Sequence, residues 1–135
     1  MKEIIATADA PPALGAYAQA VKVGGTVYVS GQLPLDPRTG QLVGGTIGAQ
    51  TERALLNVQA ILEEAEASLD DVVKVTIYVR DLEQFEDINR TYAMFFRNLP
   101  PARAMVEVSR LPKDAAIEID AIAVLSGGYV DPETY

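Results

Sequence analysis

Apolar positions along the chain follow two periods, alternating in some stretches and recurring every three or four residues in others. Met1–Ala6 reads as a short strand or arm and Asp9–Pro12 as a turn. Ala18–Val23 and Thr26–Ser30 are strand-like, and Gly24-Gly25 between them predicts a hairpin. Leu33–Gly45 carries two prolines and three glycines, the chemistry of a loop. A helix is expected over Ile47–Ala67, where Ala54, Leu55, Val58, Ile61, Leu62 and Ala65 share a stripe and Thr46 is the candidate N-cap. No glycine closes it, so Ser68–Asp71 is expected to end it. Val72–Arg80 is a β-branched run and predicts a strand.

Asp81, with Gln84 as reciprocal partner, is expected to cap a second helix whose stripe includes Leu82, Phe85, Ile88, Tyr92, Phe95 and Phe96. Pro100-Pro101 is expected to end it. Pro100–Val124 reads as two strands. In the first, Ala102, Ala104, Val106 and Val108 share one face, while Arg103, Met105, Glu107 and Ser109 share the other. In the second, Ile117, Ile119, Ala121 and Ala123 lie opposite Glu118 and Asp120. The order β-β-α-β-α-β-β predicts an α/β (α+β) domain, a sheet with helices on one face and parallel pairs at the helical crossovers. Chain adjacency pairs the last two strands as a hairpin, although Arg110–Ala115 contains a proline and lacks a tight-turn dipeptide.

Composition narrows the chemistry more than the fold. The chain has 135 residues, a length for one domain, with 49% hydrophobic and 22% charged residues. It has no cysteine and no histidine, which removes disulfides, thiol chemistry, the usual metal ligand and any Ser-His-Asp triad. Carboxylates, arginine, tyrosine, hydroxyls and backbone groups are left. The net charge of −8, with no cluster of Lys and Arg, argues against a nucleic-acid partner, while one local arginine can still bind a small anion. No stretch is long and apolar enough for a signal peptide or a membrane span, so the cytoplasm is the default location.

The character changes after Val124. Residues 1–125 form the expected domain, Ser126-Gly127-Gly128 reads as a linker, and YVDPETY completes a tail over 126–135. The tail reads either as a native end or expression remnant, or as an appended tyrosine peptide that engages another protein. On the second reading it resembles the juxtamembrane tyrosine segment of Eph-type receptors.

An arginine and carboxylates inside otherwise apolar strands need partners or a purpose. Arg103 offers a permanently charged fork suited to a carboxylate, with a strand-edge salt bridge as its ordinary alternative. Asp120 and Glu118 are either site groups or solvated carboxylates. Tyr17, after Gly15, is a lid or a packing residue; Asn89 points to a ligand or to water; Met105 reads first as packing.

Five stretches together are similar to the RidA family of reactive intermediate/imine deaminases, the YjgF-type proteins. They are Gly15–Tyr17, Val27–Gly40 (VYVSGQLPLDPRTG), Gln50–Glu63, Val72–Asn89 and Pro101–Val124 (PARAMVEVSRLPKDAAIEIDAIAV). The resemblance implies a chorismate-mutase-like fold, a mixed sheet with two helices on one face and the last strand between two earlier ones. It implies a homotrimer with sites between subunits, no cofactor and no metal. It implies hydrolysis of 2-iminobutanoate and 2-iminopropanoate to 2-keto acids and ammonia. Arg103 would clamp the substrate carboxylate, Tyr17 would close over the ligand, and Ser30, Gly31 and Asn89 would line the cleft. The backbone at Met105 would hold the imine nitrogen or the water, and Asp120 would stand for the glutamate that activates the water. Met105 replaces a common cysteine, Ala16 a common proline, and Glu66 a glycine at the end of the first helix. A non-catalytic carboxylate-binding trimer and an engineered trimeric scaffold are the alternatives; a translation-inhibitor or ribonuclease role is disfavoured by the acidic surface.

Overall fold

The computed structural model describes residues 1–125; the tail and its tyrosine motif lie outside the described residues. Six strands and two helices follow one another as β1 (Glu3–Ile5), β2 (Ala20–Val23), β3 (Thr26–Gln32), α1 (Ile47–Glu64), β4 (Val72–Val79), α2 (Phe85–Phe95), β5 (Ala102–Glu107) and β6 (Ile117–Val124). They form one mixed sheet in the order β1-β2-β3-β6-β4-β5. The β2–β3 hairpin forms as its glycine pair predicts, and β4 and β5 pair in parallel across the α2 crossover. No membrane-spanning helix exists among the described residues.

The terminal hairpin does not form. Strand β6 inserts between β3 and β4, antiparallel to both, as the resemblance implied and chain adjacency did not. The reason lies in its apolar face: Ile117, Ile119, Ala121 and Ala123 are all buried, a burial that a central position beneath α1 supplies. Strand β5 is left at the sheet edge, with half of its backbone groups turned outwards. The connection Arg110–Ala115 does hold a tight turn, closed by Ala115 N–H donating to Pro112 O at 3.1 Å. Lys113 (φ 59°) and Asp114 (φ 57°) sit in the left-handed region without being glycine.

Both helices cover one face. Helix α1 lies over β3 and β6, and α2 packs beside α1. Thr46 caps α1, its Oγ accepting from Ala49 N–H at 3.1 Å. The helix ends earlier than the periodicity suggests, at Glu64, because Glu66 turns left-handed (φ 65°) and Ala67 N–H reaches back to Leu62 O at 2.8 Å. Ser68 and Asp71 then cap a separate 3-10 turn over Leu69–Asp71. Asp81 likewise opens a 3-10 turn, its carboxylate accepting from Glu83 N–H and its carbonyl from Gln84 N–H, and α2 stops at Phe95, ahead of the two prolines.

The opposite face is uncovered within the chain. Ile4, Val23, Tyr28, Val106 and Val124 are exposed there, beside a polar stretch formed by Thr76, Tyr78, Glu118 and Asp120.

Candidate active site

The clearest anomaly in the sheet is at Ser30-Gly31. The β3–β6 register slips between Val29 and Gln32, so Ser30 and Gly31 together stand opposite the single residue Asp120. Such a bulge bends a strand and re-aims its neighbours. A Cβ on Gly31 would fall 1.9 Å from Glu118 Oε2, so the missing side chain makes room for that carboxylate. Ser30 turns its hydroxyl to Ala18 O at 2.6 Å, fastening the strand to the loop that carries Tyr17. Gln19, buried, holds that loop further: its amide donates to Thr7, Ala10 and Pro11 carbonyls and accepts from Thr7 N–H.

A cleft of about 390 Å³ results, lined by Tyr17, Ser30, Gly31, Leu33, Pro112 and Glu118. Its Leu33 wall is tied to α1 by Asn57, whose amide donates to Leu33 and Leu35 carbonyls. The left-handed Lys113-Asp114 pair presents Pro112 at its rim. A larger hollow of about 660 Å³ runs along β1 and shares Tyr17, but Lys2 is the one charged residue in its lining. The smaller cleft is where polar groups converge, which is what chemistry requires.

Glu118 is partly buried, and burial pushes its carboxyl above the usual range, with the charge of Asp120 adding to the effect. Asp120 sits two residues along on the same face, but its carboxylate turns the other way, accepting from the Tyr78 hydroxyl at 3.0 Å. Burial and that bond raise the Tyr78 phenol. The two carboxylates are thus placed differently: Glu118 faces Tyr17, Ser30 and Gly31, whereas Asp120 is engaged by Tyr78 and does not line the cleft. The glycine inside β3 was the available signal, since a strand glycine marks a bulge or a close approach.

Arg103, Asn89 and Met105 form a second group on the other side of the sheet. Arg103 is in register with Val75, whose side chain is in the core beneath the helices. Its Nη1 donates to Asn89 Oδ1 at 2.7 Å, and its guanidinium carbon lies 4.7 Å from the Tyr92 ring centre and 5.7 Å from that of Phe85. Met105, two residues on, packs partly buried against the core. Among the described residues no carboxylate pairs with Arg103. Asn89 thus holds the arginine, a role its sequence position did not disclose. Within one chain the six expected site residues besides Asp120 fall into two sets, Tyr17, Ser30 and Gly31 on the open side and Asn89, Arg103 and Met105 on the helix side.

Comparison with known proteins covers almost the whole chain. The profile of the endoribonuclease L-PSP family matches residues 7–125. A RutC family protein of Pyrococcus abyssi is 55% identical over 90% of this chain and 96% of its own. A Salmonella typhimurium protein named 2-iminobutanoate/2-iminopropanoate deaminase is 49% identical over 92% and 98% respectively. The crystal structure of E. coli TdcF with bound serine superposes with a TM-score of 0.88 at 42% identity, covering 92% of this chain and 99% of that one.

Proposed function

The chain belongs to the endoribonuclease L-PSP family, the YjgF/RidA proteins, and from that premise we propose that it hydrolyses 2-imino acids such as 2-iminobutanoate and 2-iminopropanoate. The observation that carries the reading is a raised carboxylate, Glu118, set beside Tyr17, Ser30 and Gly31 in a cleft of its own. A carboxylate with a pKa moved towards neutrality is suited to exchange protons with water. Glu118 takes a proton from water as its oxygen bonds to the imine carbon, and the C=N electron pair moves to nitrogen. Glu118 hands that proton to the nitrogen, giving the carbinolamine; as this collapses, Glu118 takes the hydroxyl proton while C=O forms and C–N breaks, and passes it to the departing nitrogen, so that ammonia and the 2-keto acid are left. Tyr17 closes over the ligand, and the remaining contribution is positional.

The substrate's carboxylate needs a cation, and Arg103 supplies it with donors to spare after Asn89. Arg103 and Glu118 lie on opposite faces of one sheet, separated by β4. One substrate of a few atoms cannot touch both within a chain, so the working site pairs the Arg103 side of one copy with the Glu118 side of another. The exposed apolar residues of the open face are what such an assembly buries, and a chorismate-mutase-like homotrimer satisfies the requirement with three equivalent clefts. The relatives fit this reading: one is named an imine deaminase, and another was crystallised with bound serine. A ribonuclease would have to bind phosphodiesters on a chain of net charge −8 and without histidine.

Adding the protein to a threonine dehydratase reaction should speed release of ammonia and 2-ketobutyrate, and Arg103→Ala should abolish the gain. An unchanged release rate with the wild-type protein would sink the proposal.

A further inference from the structure

We propose that Phe85 and Tyr92 are positioning residues that seat the Arg103 guanidinium between ring faces, keeping its charge unspent for the ligand's carboxylate. The inference rests on the reading of Arg103 given above and adds how the chain prepares it. Phe85, Asn89 and Tyr92 recur at four and three residues along α2, which puts them on one helical face, the face turned to β5. The guanidinium carbon is 4.7 Å from the Tyr92 ring centre and 5.7 Å from that of Phe85, within the range in which a cation is attracted to a ring face.

A partly buried guanidinium must be stabilised by something. A carboxylate would do so by occupying its paired donors and cancelling its charge, in direct competition with a substrate that offers the same group. Ring faces stabilise the cation and take no N–H donor. Asn89 takes one N–H, fixing the rotation of the fork, and being neutral it leaves the charge intact.

Tyr92 also behaves as a neutral wall. Burial pushes its phenol up to about 12 despite the opposing pull of Arg103, so it does not become a phenolate counter-ion at physiological pH. Its hydroxyl is buried without a hydrogen-bond partner among the described residues, leaving the ring as the part of this side chain that meets Arg103.

Calorimetric titration with 2-ketobutyrate, alongside the Arg103 Nε–H resonance identified by its loss in Arg103→Ala, tests the seat. Phe85→Leu and Tyr92→Leu should each weaken binding on the order of tenfold. They should also move the Nε–H resonance out of its ring-current position, and Tyr92→Phe should restore what Tyr92→Leu loses. Phe85 is exposed, so Phe85→Leu remains informative if Tyr92→Leu lowers the thermal midpoint enough to unfold the chain. Wild-type affinity in Phe85→Leu, or an unmoved resonance in both leucine variants, overturns the inference. Absence of Arg103-dependent binding in the wild type overturns it as well. Binding that keeps this pattern without any deamination overturns the deaminase reading and supports the seat.

Discussion

Glu118 and Asp120 differ by one methylene and two positions, yet their surroundings give them different work. Glu118 is raised by burial and by Asp120, so its proton is held more tightly in the folded chain than in the unfolded one. Its contribution to stability is therefore present below the ordinary carboxylate pKa and is lost as pH rises through the folded value. Glu118→Gln should accordingly gain stability relative to the wild type as pH rises above the ordinary carboxylate pKa and through the raised folded value, followed by thermal melts. The same change should cut deamination by about 10²–10⁴-fold. Asp120→Asn should cost far less, and should move the acid limb of the kcat/KM profile to lower pH by removing a neighbouring negative charge. Equal losses in the two variants would contradict the assignment. Gly31→Ala would drive a methyl into Glu118 Oε2 and should lower kcat by about a hundredfold, which steady-state kinetics would register against a near-normal melt. Strand alternation revealed that both carboxylates share a face; it could not reveal which one meets the cleft, because a bulge on β3 and a phenol on β4 decide that.

At the scale of elements, local signals place the strands and helices but not where each one stops. The glycine-pair hairpin and the N-cap Thr46 follow from short-range chemistry, and the parallel β4–β5 pair from the helical crossover between its strands. The end of α1 did not, because the chain closes it with a left-handed glutamate where glycine is the residue suited to the conformation. Glu66→Gly should relieve about 1 kcal/mol of backbone strain, partly offset by the added freedom of the unfolded chain, and raise the midpoint by a few degrees. A lower midpoint would mean that the Glu66 side chain contributes more than its backbone costs. The misplaced terminal hairpin has a different origin. Sequence neighbours usually pair, but β6 buries the four apolar side chains of its inner face more completely at the centre of the sheet, and only long-range packing expresses that preference.

For the whole molecule, the separation of the two residue sets sets the terms. Residue type singles out candidate side chains, but the sheet face each one occupies relative to the others depends on where β6 inserts. If sites form between copies, mixing Arg103→Ala chains with Glu118→Gln chains after dissociation should restore activity that neither has alone. With random reassembly of equal amounts, about a quarter of the sites would combine an intact arginine with an intact glutamate. Recovery is read from ammonia release, and no recovery would place the working site within one chain.

The placement of Arg103 and Glu118 on opposite faces of one sheet also bears on when the chain can act. A newly made copy carries both halves of the chemistry but cannot fold them onto one another, because the sheet stands between them. On the proposed function, a lone copy would be chemically silent until it finds its fellows. Deaminase output would then measure assembly: on dilution past the point where copies part, turnover per chain should fall away, so that activity would report the concentration of the chain itself.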